Sequence, residues 1–183
     1  MWWQDAFRIE GYARNGKVFD CPSMTFLAAK NIGGSTSTNN TLSIGMNHSE
    51  FGEQTQDGTH PFSLCTESKV ARPSKAIVFA DAGAVTPATK DRGADEWVAD
   101  VSYDASALQF SGGGVSYFRT PSDFSFSAGD SRSLGRHAKR CNFCFFDAHV
   151  ESLRNSAAGY EFPRRDERAL WARDHVFTSP YGN

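Results

Sequence analysis

The sequence predicts a single α+β domain, and three observations support this prediction. Its 183 residues match the length of about one domain. Trp3 and Phe7 lie four positions apart, which is the spacing of apolar residues on one face of a helix. The apolar run 76–80 is typical of a buried strand, and the strand-like runs 142–146 and 149–153, separated by two residues, predict a β-hairpin.

The first third of the chain is expected to hold one helix and a long loop. The helix covers residues 1–15, where the Asn15-Gly16 pair is a suitable end. Residues 31–60 are dominated by Gly, Ser, Thr and Asn, which predicts a polar loop with at most one short strand around residues 42–46.

The rest of the chain is expected to be rich in loops outside the hairpin. The buried strand should stop at residues 81–83, and a short strand is a candidate at 115–118. The link Asp147-Ala148 predicts a two-residue type I′ turn, in which Ala148 costs roughly 1 kcal/mol because it lacks glycine's tolerance of positive φ. Residues 163–176 begin with proline and place acids before bases, which predicts a C-terminal helix.

The composition indicates a folded chain and excludes some classes of protein. Hydrophobic residues make up 39% of the sequence and include 15 Phe, so the chain can bury a core without a metal or a disulfide. The net charge is −2, and no concentrated basic stripe favours nucleic-acid binding. No stretch approaches the ~20 apolar residues of a membrane span, and no signal peptide opens the sequence.

Cys141 and Cys144 have the C-x-x-C spacing of zinc sites and redox dithiols. Their context favours packing or a structural disulfide instead, because side chains three apart on a strand point to opposite faces. Zinc and redox roles remain the alternatives, although no second pair of cysteines or histidines completes four zinc ligands.

No enzyme motif emerges from the sequence. The nucleophile pattern G-x-S-x-G is absent, and the glycines at 112–114 are not followed by the Lys-Ser/Thr of a phosphate-binding loop. Three aspartates in loop-like segments are candidate oxygen ligands for Ca²⁺, with solvated surface carboxylates as the alternative: Asp95, Asp100 and Asp104.

One pattern is more specific than these. An Arg-His pair is followed by nine residues and then by Asp-Ala-His-Val-Glu, with an asparagine and a phenylalanine at fixed positions between. Its residues are Arg136, His137, Asn142, Phe145, Asp147 and His149. The pattern resembles the H-x₉-D-G signature near the C-terminal end of a large bacterial family of pilin-like proteins, related to the pseudopilins of type II secretion.

Three earlier segments occur in the order found in that family. Lys17–Ser23, which contains Cys21 and Pro22, resembles its K-V-F-x-C-P-S run. Leu42–Asn47 resembles its S-Y-G-M-N run, and Lys69–Asp81, which contains Pro73, resembles its P-S strand ending in Asp. The resemblance covers roughly residues 10–155.

The sequence departs from the family pattern at three points. Ala148 stands where the signature has glycine, and Ile44 stands where the family has an aromatic residue. The apolar N-terminal helix of prepilin-type proteins is missing, so the chain is expected to be the head domain alone.

The resemblance implies a pilin-like head in which the helix 1–15 packs on an antiparallel sheet. It implies a non-enzymatic subunit of a type II secretion or pilus-type apparatus, located outside the cytoplasm in the cell envelope. Its partners would be other pilin-like subunits, with inner-membrane anchoring through the N-terminal helix and no cofactor. In this interpretation Asp147 and His137 are scaffold residues that bond nearby backbone groups or a carboxylate, and a bound cation or ligand at His137, Asp147 and His149 is the alternative.

A secreted module that binds carbohydrate or another ligand is the alternative function. It would use exposed aromatic side chains that stack on sugar rings. The candidates are Trp97, Tyr103, Tyr117 and Phe118, and packing in the core is the more common role of such aromatics.

The extracytoplasmic location implied by the resemblance permits disulfides. A Cys21–Cys65 bridge would close a loop of about 45 residues and stabilise the fold by roughly 4 kcal/mol. Cys141 and Cys144 are not expected to bond each other, and Cys144 is expected to pack against the phenylalanines.

Overall fold

The fold is described from a computed structural model for residues 44–51, 67–100, 117–123 and 126–174. Six strands in these ranges form one mixed sheet, so the architecture is broadly α+β or mostly β. The strands are β1 Ile44–Asn47, β2 Ile77–Ala84, β3 Tyr117–Phe118, β4 Ser131–Ser133, β5 Cys141–Phe145 and β6 Val150–Leu153. The helical turns are α1 His48–Phe51 and the 3₁₀ turns Glu67–Lys69, Pro73–Lys75, Ala94–Glu96 and Asn155–Ala158.

Strand β2 lies at the centre of the sheet. The order is β3-β1-β2-β5-β6, and β4 pairs with the end of β2. β2 runs antiparallel to β1, β4 and β5, with Ala80 opposite Phe143 in β5. The buried strand predicted at 76–80 is therefore confirmed.

β2 does not stop at residues 81–83 as expected. It continues to Ala84 because β4 supplies a further partner, with Gly83 opposite Arg132. Gly83 suits this position, since a Cβ there would lie only 2.8 Å from a methyl carbon of Leu134.

The expected all-antiparallel sheet is wrong at one edge. β1 and β3 pair in parallel, with Met46 opposite Tyr117. Parallel pairing needs a long connection between the strands, and about 70 residues separate these two along the chain. β3 falls within the candidate strand 115–118.

The predicted hairpin is confirmed by strands β5 and β6, which pair from Cys141 opposite Leu153 to Cys144 opposite Val150. β5 alternates buried Cys141, Phe143 and Phe145 with half-buried residues, so one face of the strand lies on the core. Its neighbours in the core include Ile77, Phe118 and Trp171.

The link of this hairpin is longer than the predicted two-residue turn. Phe145 donates its N–H to the carbonyl of His149 at 2.9 Å, so three residues, 146–148, form the loop. Among them only Ala148 has positive φ, at 71°. A turn followed by one left-handed residue is the common three-residue hairpin loop, and this is the position where the pilin-like signature has glycine.

β1 Ile44–Asn47 confirms the short strand expected around residues 42–46, whereas His48–Phe51, expected to be part of the polar loop 31–60, form the helical turn α1. The side chains of Asn47 and Glu50 are buried. The polar composition misled the prediction because these two side chains find hydrogen-bond partners inside the protein.

The helix predicted at 163–176 is wrong for its described part, residues 163–174. The backbone makes successive turns in which Asp166, Ala169 and Ala172 each donate to the carbonyl three residues earlier. Arg165 has a φ of 78°, and the Asp166 carboxylate accepts the N–H of Arg168 at 2.9 Å. Such a side-chain bond competes with helical hydrogen bonding.

Several expectations lie outside the described residues. These are the helix 1–15, Lys17–Ser23 with Cys21 and Pro22, and Cys65, Tyr103 and Asp104. Among the described helical turns, none has the length and apolar character needed to cross a bilayer.

Candidate functional site

The first half of the signature gathers around the carboxylate of Asp81, which is 5% exposed. Asp81 Oδ2 accepts the backbone N–H of Asn142 at 2.7 Å and lies 3.4 Å from Nε2 of His137. The guanidinium of Arg136 donates to the carbonyl of Ala82. Through these contacts, β5 and the turn that precedes it are linked to β2.

A tight turn that the sequence did not reveal places His137 beside Asp81. His137 and Arg140 exchange backbone hydrogen bonds of 2.9 Å, and Ala138 and Lys139 between them have φ of 51° and 64°. Two consecutive positive φ angles define a type I′ turn, which usually contains glycine or asparagine. Ala-Lys gives no such signal.

The second half of the signature forms a separate cluster at the hairpin loop. Nδ1 of His149 lies 2.5 Å from Oδ1 of Asp147, and Nε2 lies 3.3 Å from Oε1 of Glu151. The imidazole stacks on the ring of Phe145 with centroids 4.4 Å apart. The bond to Asp147 is the main cause that raises the pKa of His149, and the same bond lowers the pKa of Asp147.

The two halves of the signature therefore use different partners. His137 lies beside Asp81, whereas Asp147 bonds His149, so these contacts do not join His137 and Asp147 in one relay. Pro73 takes part in neither cluster and occupies the first position of the turn Pro73–Lys75, which neighbours β5 and where its lack of an N–H costs nothing.

Cys141 and Cys144 are free thiols on opposite faces of β5, as the sequence predicts. Cys141, not Cys144, packs in the core with Phe143 and Phe145, which corrects the expectation for Cys144. Burial raises the pKa of Cys141 well above its usual value and also raises that of Cys144. A reactive thiolate needs the opposite shift, so this environment does not favour a nucleophilic role.

Of the candidate Ca²⁺ ligands, Asp95 and Asp100 are among the described residues, and Asp104 lies outside them. Both oxygens of Asp95 accept bonds from Ser156, from its N–H at 2.9 Å and its hydroxyl at 2.8 Å, so this carboxylate caps the turn Asn155–Ala158. Asp100 donates its N–H to the carbonyl of Ala84. Within the described ranges, no three His, Cys, Asp or Glu side chains are grouped as metal ligands.

The aromatic residues proposed to bind sugars are buried where they are described. Trp97 and Tyr117 are each 9% exposed, and Phe118 is fully buried. Trp97 packs against Phe126 and Tyr160. They cannot form an exposed stacking platform, so these three pack in the core and lack the exposure that a carbohydrate-binding role requires.

A cluster that no sequence pattern indicates surrounds Glu50, whose carboxylate is buried. Arg164 binds both of its oxygens, at 2.8 and 2.9 Å, and the hydroxyl of Ser122 donates to it at 2.6 Å. Arg173 donates its N–H to the carboxylate and its guanidinium to the Glu50 carbonyl. Burial raises the pKa of Glu50, and Arg164 is the strongest opposing influence.

Asn47 ties the same C-terminal segment to the sheet. Its side-chain amide donates to the carbonyls of Ile77 and Trp171, at 3.0 and 2.7 Å. Asn47 ends the run that resembles S-Y-G-M-N, but no sequence pattern singled out Glu50, because its partners lie far along the chain.

Ser, His and Asp side chains also meet near α1. The hydroxyl of Ser49 donates directly to Asp123 at 3.4 Å. The ring of His48 packs against that of Tyr117 at an angle of 45°, and burial lowers the pKa of His48. The serine–aspartate contact bypasses the histidine, so the arrangement differs from a serine–histidine–aspartate relay.

No protein-family model matches the chain, and neither a curated protein nor a solved structure matches it significantly.

Proposed function

We propose that this chain is the extracytoplasmic head of a pseudopilin-like subunit of a type II secretion or pilus-type apparatus. It acts as a structural subunit without catalytic activity, and its partners are other pilin-like subunits. Its place is the cell envelope, where the complete subunit is anchored in the inner membrane.

One observation carries the proposal. Three of the four segments that resemble the pilin-like family form neighbouring strands of one sheet. Leu42–Asn47 contains β1, Lys69–Asp81 enters β2, and the signature spans β5 and β6, giving the contiguous order β1-β2-β5-β6. Segments that are separate in sequence thus act together as the scaffold of the domain.

The contacts of the signature residues support a structural role. Arg136, Asn142 and Asp147 bond backbone groups or neighbouring side chains within this sheet and its loop. A catalytic site would instead direct a nucleophile, a base and an oxyanion-binding group toward a shared point.

Expression of the tagged, full-length protein in the bacterium that encodes it tests the proposal. We expect the protein in the envelope fraction, with an N-terminus processed by the prepilin peptidase and with the head accessible to protease added outside the inner membrane. Deletion of the peptidase should abolish the processing.

A photo-cross-linking residue at Val150, which is 63% exposed on β6, should capture other pilin-like subunits. The same residue at Val98, which is 54% exposed, is the matched control for a surface position away from the hairpin. An unprocessed protein in the cytoplasmic fraction would overturn the proposal.

A further inference from the structure

We propose that a groove between the turn Pro73–Lys75 and the C-terminal segment binds an acidic peptide segment of another protein. The groove has a volume of about 470 Å³, which lies in the range of ligand-binding pockets and exceeds the space of an inorganic ion. This inference is independent of the pseudopilin proposal, because peptide binding by the purified chain requires no assembly.

Backbone hydrogen bonds hold the two walls of the groove together. Ile77 donates its N–H to the carbonyl of Leu170, and Ala71 donates to that of Arg173, both at 2.9 Å. The bonds from Ser156 to Asp95 fix the end of the groove. A preformed groove binds a peptide without the entropic cost of ordering its walls.

The floor and the rim of the groove differ in chemistry. Ala157, Phe162 and Leu170 contribute apolar surface, whereas Arg72 and Lys75 contribute positive charge. The three cations and one acid that line the groove give it a net charge of +2, although the whole chain carries −2.

The cations differ in their availability to a ligand. The guanidinium of Arg168 is held by both oxygens of Asp166 and lies 3.7 Å from the ring centroid of Phe162. Arg72 and Lys75 lie on the exposed turn opposite, and no ion pair engages them in the described part of the chain. These two side chains are placed to bind carboxylates above the apolar floor.

An acidic peptide with apolar side chains matches both features. Its carboxylates would pair with Arg72 and Lys75 while a leucine or phenylalanine side chain covers Phe162 and Leu170. A nucleic acid would need a longer track of cations, and the carboxylate of Glu167 in the lining disfavours a densely anionic surface such as a membrane.

Fluorescence polarisation with the purified chain tests the inference. The probe is the peptide GDLEFDG carrying a neutral dye, and its matched control is the uncharged peptide GNLQFNG. We expect the acidic probe to bind and the double variant Arg72→Gln/Lys75→Gln to weaken binding at least tenfold. The control variant Arg92→Gln/Lys139→Gln makes the same change of net charge at exposed positions outside the groove lining and should change the affinity less than twofold.

A second variant keeps the test decisive if the first one fails to fold. Ala157→Glu places a negative charge on the exposed part of the groove lining and should also weaken binding of the acidic probe. No binding up to 1 mM, equal binding of both peptides, or equal losses in groove and control variants would overturn the inference. So would groove-dependent binding to phosphatidylglycerol vesicles without binding to the peptide.

Discussion

Two buried carboxylates, Asp81 and Glu50, connect parts of this protein in different ways. Asp81 lies in the central strand, and its contacts come from the adjacent strand β5 and the turn before it. Glu50 lies in a single helical turn, and its contacts come from segments 72 to 123 residues further along the chain. The partners of Asp81 lie close to it because neighbouring strands pair, whereas the partners of Glu50 lie close to it only in the complete tertiary fold.

The two carboxylates also differ in the charge of their partners. The closest partner of Asp81 is a neutral backbone N–H, while Glu50 binds the guanidinium of Arg164 through both oxygens. Loss of the Glu50 carboxylate removes four hydrogen bonds, whereas loss of the Asp81 carboxylate removes one hydrogen bond and the 3.4 Å contact with His137. Stability should therefore depend more strongly on Glu50.

The largest expected effect is that of Glu50→Ala. We expect it to lower the free energy of unfolding by about 3 kcal/mol, because Arg164, Arg173 and Ser122 lose a shared acceptor. Urea titration measures the change. Glu96→Ala is the control, since the pair of Glu96 with Arg92 is exposed and should contribute less than about 1 kcal/mol. Equal losses in the two variants would contradict this interpretation of the Glu50 cluster.

Asp81→Ala is expected to cost less, about 2 kcal/mol, because it removes a charge-assisted hydrogen bond to Asn142. The loss should appear locally, as faster hydrogen exchange of the Asn142 amide. Asp81→Asn keeps an oxygen acceptor and should restore part of the protection. An unchanged rate of hydrogen exchange at the Asn142 amide in Asp81→Ala would contradict the proposed link between β2 and β5.

Ala148→Gly tests the loop of the same hairpin and should stabilise the protein by about 0.5–1 kcal/mol. Glycine adopts the observed φ of 71° without the steric cost that alanine carries. Thermal unfolding measures the gain. Ala157→Gly, in a turn without positive φ, should be destabilising instead. A stability loss in both variants would contradict the role given to residue 148.

The smallest effect concerns the exposed pair His149–Asp147. The pKa of His149 is raised above 6.5, so protonated His149 stabilises the fold below about pH 6.5. This contribution is lost as the pH rises through the raised pKa. NMR titration should find the pKa lowered toward its ordinary value by Asp147→Asn and less by Glu151→Gln, because Asp147 is the larger cause. The reverse order of the two variants would show that Glu151 dominates.

The part of the fold that the sequence predicted depends on short-range patterns. The apolar run at 76–80 and the two runs around Asp147 became β2, β5 and β6, because alternating or continuous apolar residues report which faces are buried. The signature also identified residues that join these strands, among them Arg136 and Asn142.

The tertiary structure alone determined the positions of buried polar side chains and the conformation of segments that lack a periodic apolar pattern. Glu50 and Asn47 lie in a stretch whose composition predicts a loop, and residues 163–174 have the charge order of a helix but form successive turns. A buried polar group is stable only where hydrogen-bond partners offset its loss of water. Glu50 binds Arg164 and Arg173, which lie 114 and 123 residues further along the chain. No local pattern in the sequence encodes these contacts.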